Sequence, residues 1–505
     1  MNQQVVLKLA VAEDRHGGLL RHPVLAAATT RTQQSLVSIY YDTGRLALRR
    51  AGVLLRLRKQ GASWQQMVRR QDQSDGGLTM RPEWQAPYLN HFDFAHIDDV
   101  DLREWLQRDK IDGRLAAVFE TNLRRTVWEL DPTPNTRIQV KLDRGWIASN
   151  GRREAISELE LQLVAGSIDS LYQIALQLAQ REPLPPLLLS KAERGYRLFR
   201  GTLPAPVKAG DVAIDAADTP LAAFRLIGLD CLAHLQLNHD GAVHLDDPEY
   251  VHQMRVAMRR LRAALRMFRP VLPEGFAEQL VLPMRELMAA LGQARDLDVL
   301  MGEIVAPVAA ALPDEPRLAD LSGAITNRLY AARAEIRQVL RRPAYGQFLL
   351  TASRLLQQAP FVEPPGAESA GPSLLQFADR RLRRLLGTIH ELAAAARAES
   401  PPSLHALRIA IKRLRYAIEF FDAMIPGKSG AAAIKRLAAL QDELGQLNDL
   451  ASAGTLLMVC AGRDTQLREA VTLVGGWHGP RHAALLDDIP EKLKRVRDLT
   501  LPRLA

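Results

Sequence analysis

A duplicated segment in the C-terminal half of the chain constrains the fold more than any other feature of the sequence. Residues 251–268 read VHQMRVAMRRLRAALRMF and residues 404–421 read LHALRIAIKRLRYAIEFF, at an offset of 153. The same offset, without a gap, places LGQARDL at 291–297 on LGQLNDL at 444–450. Agreement over such a span indicates a tandem duplication, in which each copy is one structural unit.

Long segments rich in Leu, Ala and Arg surround both copies, with apolar residues at helical spacing. They predict helices at about 221–240, 248–269, 275–303, 315–342, 344–358, 373–398, 401–424, 430–461 and 464–475. Stretches rich in proline and glycine interrupt the pattern near residue 210 and at 359–373. We therefore expect an N-terminal domain at 1–203, a linker at 204–217 and a helical domain at 218–505, with repeats at about 218–358 and 373–505.

The first 200 residues follow a different pattern, in which apolar and polar residues alternate. The alternation predicts strands at about 4–11, 35–41, 53–59, 63–69, 126–130, 137–143 and 156–163. Several strands carry charged pairs at two-residue spacing, which places both members on one face: Arg56 with Arg58, Lys141 with Asp143, and Glu158 with Glu160. Alternation alone favours a solvated outer face for these charges. The other interpretation is a charged interior, as in a barrel or tunnel.

Composition excludes several classes of protein. The 505 residues are 47% hydrophobic and 24% charged, as expected of a folded chain with two or three domains. The two cysteines form no metal or redox motif, and the N-terminus has no signal-peptide pattern. No apolar run is long enough to span a membrane. We expect a soluble cytoplasmic protein, and the net charge of +9 only weakly favours anionic partners.

The repeated segment carries a basic stripe. At 100° per residue, the first copy places five basic residues within an arc of about 80°: His252, Arg255, Arg259, Arg262 and Arg266. The second copy repeats the stripe with His405, Arg408, Lys412 and Arg415, and has Glu419 where the first copy has Arg266. Arg260 and Arg413 lie at its flank.

Two interpretations of the stripe are open. An amphipathic helix has a charged face in water, but such faces normally interleave acids with bases to avoid like-charge repulsion. Here cations stack along one side in both copies, and each stripe begins with a histidine near a helix N-terminus, where free amides attract anions. We favour a binding site for a multivalent oxyanion such as phosphate.

The His-x-x-Arg spacing, the basic R/K-R-L-R run and the later Leu-Gly-Gln segment resemble a CHAD domain in both copies. The resemblance implies an all-α tandem pair of four-helix bundles related by a pseudo-twofold axis, with a basic central surface that binds inorganic polyphosphate. Carried over residue by residue, it implies a site that contains His252, Arg255, Arg259, Arg260, Arg262, Arg266, His405, Arg408, Lys412, Arg413 and Arg415.

The N-terminal part resembles a CYTH domain, chiefly through Ser-Lys-Ala-Glu-Arg-Gly-Tyr at 190–196, and also through Arg56-Leu57-Arg58 and Glu158-Leu159-Glu160. The resemblance implies an antiparallel β-barrel that forms a triphosphate tunnel, with the charged pairs inside. It implies anion-binding residues Lys8, Arg56, Arg58, Arg69, Arg81, Arg125, Lys191 and Arg194, and metal ligands Glu158 and Glu160.

One departure from the CYTH pattern bears on catalysis. The family opens with Glu-x-Glu-x-Lys, whose carboxylates help to hold a divalent metal, whereas this chain has Gln4, Val6 and Lys8. Gln139 and Gln162 also stand where acids are usual. Because Mg²⁺ needs charged oxygen ligands, we expect anion binding with weak or no hydrolysis, and a role for Mg²⁺ or Mn²⁺ only if the tunnel is active.

These observations lead us to expect a polyphosphate-binding protein that is recruited to polyphosphate granules and needs no cofactor for binding. The alternative is a metal-dependent inorganic triphosphatase whose helical domain anchors the substrate. Nucleic-acid binding ranks third, since the stripe lacks side chains for base recognition or stacking. Protonation of His252 and His405 should strengthen anion binding at lower pH.

Overall fold

The structure of the chain is a computed structural model that describes residues 4–70, 78–358, 361, 372–397 and 400–504. The chain divides into two units. Unit 1 comprises Met1–Ala205 together with Arg341–Gln358, and unit 2 comprises Pro206–Leu340 together with Ala359–Ala505.

Within the described residues, unit 1 is built on an antiparallel sheet of nine strands. The strands are β1 (Gln4–Ala10), β2 (Thr30–Thr43), β3 (Val53–Gln60), β4 (Ser63–Arg70), β5 (Leu78–Arg81), β6 (Glu83–Pro87), β7 (Leu115–Thr133), β8 (Thr136–Ser149) and β9 (Arg152–Ala165). Their order in the sheet is β5-β1-β9-β8-β7-β2-β3-β4-β6. The two end strands are joined directly through Pro82, so one continuous segment pairs with β1 on one side and β4 on the other. The sheet therefore closes into a tunnel.

The sequence pattern predicted seven of these strands but underestimated the length of the longest ones. Strands β2, β7, β8 and β9 each span 14 residues or more, because paired neighbours extend a ladder past the clearly alternating residues. Strands β5 and β6 were not predicted. Each is short, and Pro82 between them resembles a strand break rather than the closure of a barrel.

The two faces of the sheet differ in polarity. On β9, Leu159 and Leu161 point outward into an apolar core with Leu171 and Tyr172. The alternate residue Glu158 points inward and is 0% exposed. The solvated-face interpretation of the charged pairs is therefore wrong. Their charges are tolerated inside because they pair with one another, as buried charges must.

The helices are α1 (His16–Leu20), α2 (Pro23–Ala26), α3 (Ala47–Arg50), α4 (Val100–Leu106), α5 (Ile168–Ala179), α6 (Lys191–Arg200), α7 (Pro220–Leu237), α8 (His239–His244), α9 (Pro248–Met267), α10 (Phe276–Val299), α11 (Ala306–Ala311), α12 (Pro316–Leu340), α13 (Pro343–Leu356), α14 (Leu374–Ala395), α15 (Pro401–Phe420), α16 (Ser429–Ala461), α17 (Thr465–Asp487) and α18 (Ile489–Arg497). A π-helical stretch, Leu300–Val305, connects α10 and α11.

Helix α6 lies against the barrel strands with its first turn held in place. Ser190 and Glu193 form a reciprocal capping box, which satisfies two free amides at the helix start. At Gly195 an added Cβ would lie 2.3 Å from the Phe119 ring, so the helix approaches the sheet closely. The Tyr196 hydroxyl donates a 3.0 Å hydrogen bond to Asp42. These contacts fix where Lys191, the first residue of α6, points.

Helix α13 belongs to unit 1, although the sequence pattern predicts residues 341–358 as part of the first helical repeat. Leu350 is part of the apolar core beneath the barrel, and Gly346 lies against the backbone of Leu184. Arg354 bonds both carboxylate oxygens of Asp169 on α5, at 2.6 and 3.2 Å. This helix completes the core of the first unit.

Unit 2 shows the duplication directly. Helices α9 and α15 begin at residues 248 and 401, and α10 and α16 begin at 276 and 429, so both pairs keep the offset of 153. Phe268 stacks on Phe377 with ring centroids 5.1 Å apart and lies 6.0 Å from its own equivalent, Phe421. The two copies thus share one aromatic core, which accounts for the apolar face of each repeated helix.

The end of the chain is more helical than the pattern indicated. Helix α17 continues well beyond the predicted end at residue 475 and passes through Pro480, and α18 was not predicted. Among the described residues, no helix is both long and apolar enough to cross a membrane.

Candidate anion-binding sites

The tunnel of unit 1 encloses a charged cavity of about 180 Å³. Inward-facing positions of strands β1, β3, β4, β7 and β8 supply cations, and the first turn of α6 supplies one more. The cations that line the cavity are Lys8, Arg56, Arg58, Arg69, Arg125, Lys141 and Lys191, and the acids are Glu83 and Glu160.

Strand register assembles a cluster of three carboxylates at one side of this cavity. Asp143 on β8 is directly opposite Glu158 on β9, and Glu160 is two residues further along the same strand. One carboxylate oxygen from each lies within 4.8 Å of the others. We call Asp143, Glu158 and Glu160 the carboxylate trio. Three anions at this distance repel strongly unless cations accompany them.

Lys191 supplies the first of those cations. Its Nζ lies 2.9 Å from Asp143 and 2.9 Å from Glu160, and it also bonds Glu158. Burial by itself would lower the pKa of Lys191, but the three carboxylates outweigh burial and raise it. The ammonium group is therefore charged at every physiological pH.

Arg125 supplies the second cation. Its guanidinium holds Asp143 through two bonds of 2.7 and 2.6 Å and reaches Glu160 at 3.1 Å. Burial would raise the pKa of Asp143 and of Glu160, yet Lys191 and Arg125 hold the pKa of both carboxyls below the usual range. Asp143 and Glu160 are thus ionised. A third cation borders the trio on the side of Glu158, where Arg194 lies 3.7 Å away.

The other wall of the cavity is positive. Arg69 bonds Glu83, and Arg56 lies 3.8 Å from the same carboxylate. Arg58 is different, because its Nε is buried and finds no hydrogen-bond partner among the described residues. Arg56, burial and Arg125 together lower the pKa of Arg58 to about 9. Lys141 lies on the side of the trio, directly opposite Glu160 in the sheet, and burial and Arg125 lower its pKa to about 8. An anion beside Arg56 and Arg58 would relieve the repulsion between these two arginines.

The positions that lack the expected acids lie in one row across three strands. Val6 is opposite Gln162, which is opposite Gln139 on the next strand. Gln4 lies in β1, but its side chain is outside the described residues. The trio consists of carboxylates, the donor type that Mg²⁺ and Mn²⁺ prefer, and it could hold one such ion. The ammonium of Lys191 stands among those same oxygens.

In unit 2, the two basic stripes face one another. Lys412 on α15 is partly buried, and burial followed by Arg259, Arg408, Arg415 and Arg255 lowers its pKa to about 6. Two of those arginines belong to α9 and two to α15. Burial, Arg255 and Arg408 also lower the pKa of Arg259. We call these five residues the central cluster.

Glycines in the Leu-Gly-Gln segments make space for two of the arginines. An added Cβ at Gly292 on α10 would lie 2.9 Å from Arg255, and one at Gly445 on α16 would lie 3.3 Å from Arg408. Each arginine therefore lies across the glycine of the neighbouring helix. The motif is explained by this close approach, which a side chain at either position would hinder.

The two copies differ in how their cations are paired. Arg255 contacts Asp296 at 3.3 Å, whereas the buried Nε of Arg408 has no hydrogen-bond partner among the described residues. Arg415 bonds Glu419 at 2.7 Å and stacks over the Tyr416 ring at 4.9 Å. The described acid beside the cluster is therefore on the neighbouring helix in the first copy and on the same helix in the second.

Comparisons with known proteins agree with this architecture. A family model described as CYTH domain matches residues 2–196, and one described as CHAD domain matches residues 227–458. The crystal structure of the CHAD domain from the plant Ricinus communis is 34% identical, with a TM-score of 0.52. The match covers 60% of this chain and 99% of the Ricinus communis chain. This chain belongs to the CHAD domain family and carries a CYTH domain ahead of the CHAD domain.

A curated relative matches part of the chain. The inorganic triphosphatase of Haemophilus influenzae (strain ATCC 51907 / DSM 11121 / KW20 / Rd) is 26% identical over 201 residues, which are 39% of this chain. The match spans 55% of the relative's length. Both resemblances found in the sequence are thus confirmed, as are the antiparallel tunnel and the helical tandem repeat.

The CYTH tunnel brings most of its expected residues together. Lys8, Arg56, Arg58, Arg69, Arg125 and Lys191 line the cavity. Arg194 instead bonds Glu154 and the carbonyl of Ala155, and lies 3.7 Å from Glu158. Arg81 is in strand β5, but its side chain is outside the described residues. Glu158 and Glu160 are both in the trio.

Two tunnel residues were absent from the expected site. Asp143 and Lys141 were noted as a same-face pair, but neither was assigned a role. Their spacing was the signal that could have identified them, once the face was known to be internal.

The CHAD surface is more varied than the stripes suggested. Arg255, Arg259, Arg408, Lys412 and Arg415 form the central cluster, while Arg262, Arg266, His405 and Arg413 are exposed. Arg260 is 3% exposed and bonds Asp230 at 2.8 Å, so it lies beneath this surface. His252 is half-buried, and burial followed by Arg295 lowers its pKa.

Proposed function

We propose that this protein binds inorganic polyphosphate through the basic surface of its CHAD domain. The observation that carries the proposal is the central cluster, in which four arginines from the two repeats surround Lys412. Burial, followed by these arginines, lowers the pKa of Lys412 to about 6. Such crowding is unfavourable in the free protein. A polyanion placed among these side chains would turn that repulsion into attraction.

The chemistry of the surface suits a polymer better than a single phosphate. Exposed Arg262, Arg266 and Arg413 extend the positive charge beyond the cluster, and each repeat contributes its own row. Once one part of a long chain is bound, neighbouring phosphates meet the second row at high effective concentration. Affinity should therefore increase with chain length.

The experiment uses the full chain and compares two reversed stripes with a reversed control. The stripe variants are Arg255→Glu with Arg262→Glu, and Arg408→Glu with Arg415→Glu. The control, Arg463→Glu with Arg468→Glu, changes the net charge equally. It lies beyond the end of α16, about 25 Å along that helix from Gly445 at the central cluster.

Binding of long polyphosphate at fixed salt is then measured by anisotropy, and recruitment to granules by fluorescence microscopy. Each stripe variant should bind at least about tenfold more weakly, since two charge-assisted contacts are lost and two repulsions are added. The control should bind like the unchanged protein. If all three variants bind equally well, or all lose binding equally, the CHAD surface is not the binding site.

We also propose that the CYTH tunnel holds a phosphate anion but hydrolyses it weakly or not at all. Arg58 offers a cation without a described hydrogen-bond partner at its Nε, while Val6, Gln139 and Gln162 supply no carboxylate. Binding needs only the cations. In phosphoryl transfer a divalent metal neutralises charge on the phosphoryl group, and among the described residues it is the trio that could hold such an ion.

The second candidate function is a metal-dependent inorganic triphosphatase, in which the CHAD domain anchors the substrate. The carboxylate trio and the relative named inorganic triphosphatase favour it. Phosphate release from triphosphate with Mg²⁺ or Mn²⁺ separates the two proposals. We expect little release by the unchanged chain and an increase after Gln4→Glu with Val6→Glu. Rapid turnover by the unchanged chain would establish the enzyme instead.

Competition separates polyphosphate from nucleic acid as the partner. Polyphosphate, DNA and RNA of equal charge are compared as competitors at one salt concentration, because electrostatic affinities depend on salt. We expect polyphosphate to compete best. Equal competition by all three would indicate a general polyanion site. A cytoplasmic location at polyphosphate granules is part of the same proposal.

A further inference from the structure

The carboxylate trio would be unstable without a cation at its centre. Asp143 and Glu158 are both 0% exposed, and Glu160 shares the same pocket. Burying three carboxylates within 4.8 Å of one another is costly unless positive charge lies between them. Arg125 reaches Asp143 and Glu160 from one side, and Arg194 lies 3.7 Å from Glu158. Neither arginine reaches all three carboxylates, so a positive charge is required at the centre, and a divalent ion is one way to supply it.

In this chain the central positive charge is the ammonium group of Lys191. The Nζ of Lys191 bonds all three members of the trio, two of them at 2.9 Å, and occupies the position from which one cation can reach all three carboxylates. The side chain of Lys191 is only 12% exposed, so water does not substitute freely for these bonds. Its three N–H groups match three acceptors.

The fold holds Lys191 in that position. The Ser190–Glu193 capping box fixes the first turn of α6, Gly195 brings the helix against Phe119, and Tyr196 anchors it to Asp42. The ammonium therefore comes from a helix with a defined start rather than from a mobile loop. Withdrawing it would require rotation of a long side chain in a crowded lumen or movement of the helix.

We propose that Lys191 is the resident cation of the carboxylate trio, and that a divalent metal can bind Asp143, Glu158 and Glu160 only when the Lys191 side chain leaves. The inference rests on geometry within unit 1 and refines the metal dependence of the tunnel proposed above. With Lys191 in place, the lumen can accept a phosphate anion on its opposite wall without a metal at the trio.

Manganese binding by the full chain tests this inference in the absence of any phosphate. Free Mn²⁺ is measured by electron paramagnetic resonance as protein is added. The unchanged chain should bind Mn²⁺ weakly. Lys191→Met, which keeps an unbranched apolar chain but removes the charge, should gain one site that is about 10- to 100-fold tighter, the size of effect seen when groups around a metal are changed.

Two further variants assign the gained site. Lys191→Met with Glu160→Gln should lose it, because one of the three carboxylates is gone. Lys141→Met is the matched control, since it removes the same charge from the same lumen, where Lys141 bonds Gln162 rather than the trio. It should not gain a site. A site that persists in the double variant, or appears equally in the control, would contradict the assignment.

The unchanged chain decides the question even if Lys191→Met fails to fold, which circular dichroism would reveal. Tight Mn²⁺ binding by the unchanged chain that disappears in Glu160→Gln would overturn the inference, because the trio would then hold metal with Lys191 present. Weak binding by the unchanged chain and by Lys191→Arg supports it. Because no phosphate is present, failure of polyphosphate binding by the CHAD domain leaves this result unaffected.

Discussion

Lys412 should make polyphosphate binding depend on pH. In the free protein its pKa is about 6, so at pH 7 to 8 it is mostly neutral. A bound polyanion would favour the charged form and raise the pKa of Lys412 towards the ordinary lysine value of about 10.4. Binding in this window therefore takes up a proton.

The sign and size of the effect follow from that linkage. Where the free protein has lost the proton and the complex retains it, affinity falls about tenfold for each unit of rising pH, or about 1.4 kcal/mol. If binding raises the pKa of Lys412 only to about 8, affinity falls roughly 25-fold between pH 6 and pH 8. Below pH 6 the lysine is charged in both states and contributes no further change.

Calorimetric titration with polyphosphate at pH 6, 7 and 8, in buffers of different ionisation enthalpy, counts the protons directly. The unchanged chain should take up close to one proton at pH 7 to 8 in addition to those of its histidines. Lys412→Arg retains the charge throughout this range, so that proton should disappear and affinity at pH 8 should increase. His252→Gln serves as the control for the histidine contribution that the sequence suggested, because burial lowers the pKa of that ring.

The result that would refute this reasoning is equal proton uptake by the unchanged chain and Lys412→Arg. A second measurement distinguishes loss of the Lys412 charge from damage to packing. At pH 7 Lys412 must give up its proton when the chain folds, which costs stability. Lys412→Met removes that cost, so its melting temperature at pH 7 without ligand should increase while its polyphosphate affinity at pH 6 decreases. A change that damaged the fold would lower both.

The other expectations follow from contacts described above. Gly445→Ala should displace Arg408 and weaken polyphosphate binding severalfold, while helix stability stays equal or increases by about 0.5–1 kcal/mol, as binding and melting curves will show. The logarithm of affinity should fall with the logarithm of salt with a slope on the order of −4, and a smaller magnitude in Arg255→Glu with Arg262→Glu would confirm that these charges neutralise phosphates. Leu350→Ala should cost about 2–5 kcal/mol in unfolding free energy, measured with urea, because Leu350 is 0% exposed in the core of unit 1. Unchanged stability of this variant would mean that α13 does not complete that core.

Because the segment is duplicated, much of the CHAD domain could be predicted from the sequence. Two copies with one offset identify the helix starts, the apolar faces and the basic stripes together, since each copy checks the other. The repeat does not indicate how close the two copies lie in the folded protein. Lys412 looked like any other cation of its stripe. Its pKa is lowered by burial and then by neighbouring arginines, of which Arg259 and Arg255 are more than 150 residues away in the chain. Arg260 looked equivalent to Arg413, yet only Arg260 meets Asp230 and is buried.

The tunnel was harder to predict from residues alone. Alternation is the same for a strand with charges facing water and one with charges facing a lumen, so the choice depends on whether the sheet closes. Closure rests on β5 and β6, two short strands joined by Pro82. The carboxylate trio likewise depends on the register between Asp143 and Glu158, which no local pattern specifies.

The place of helix α13 in unit 1 has a consequence for how the protein is made. During translation, all nine strands emerge from the ribosome before residue 170, but the helix that covers part of their apolar core arrives only after residues 206–340 have been synthesised. The part of the barrel core that Leu350 covers therefore stays exposed while most of the first CHAD repeat is synthesised. In a truncated chain that stops at residue 205 this apolar surface is never covered. An isolated CYTH domain should therefore aggregate unless residues 341–358 are grafted onto it.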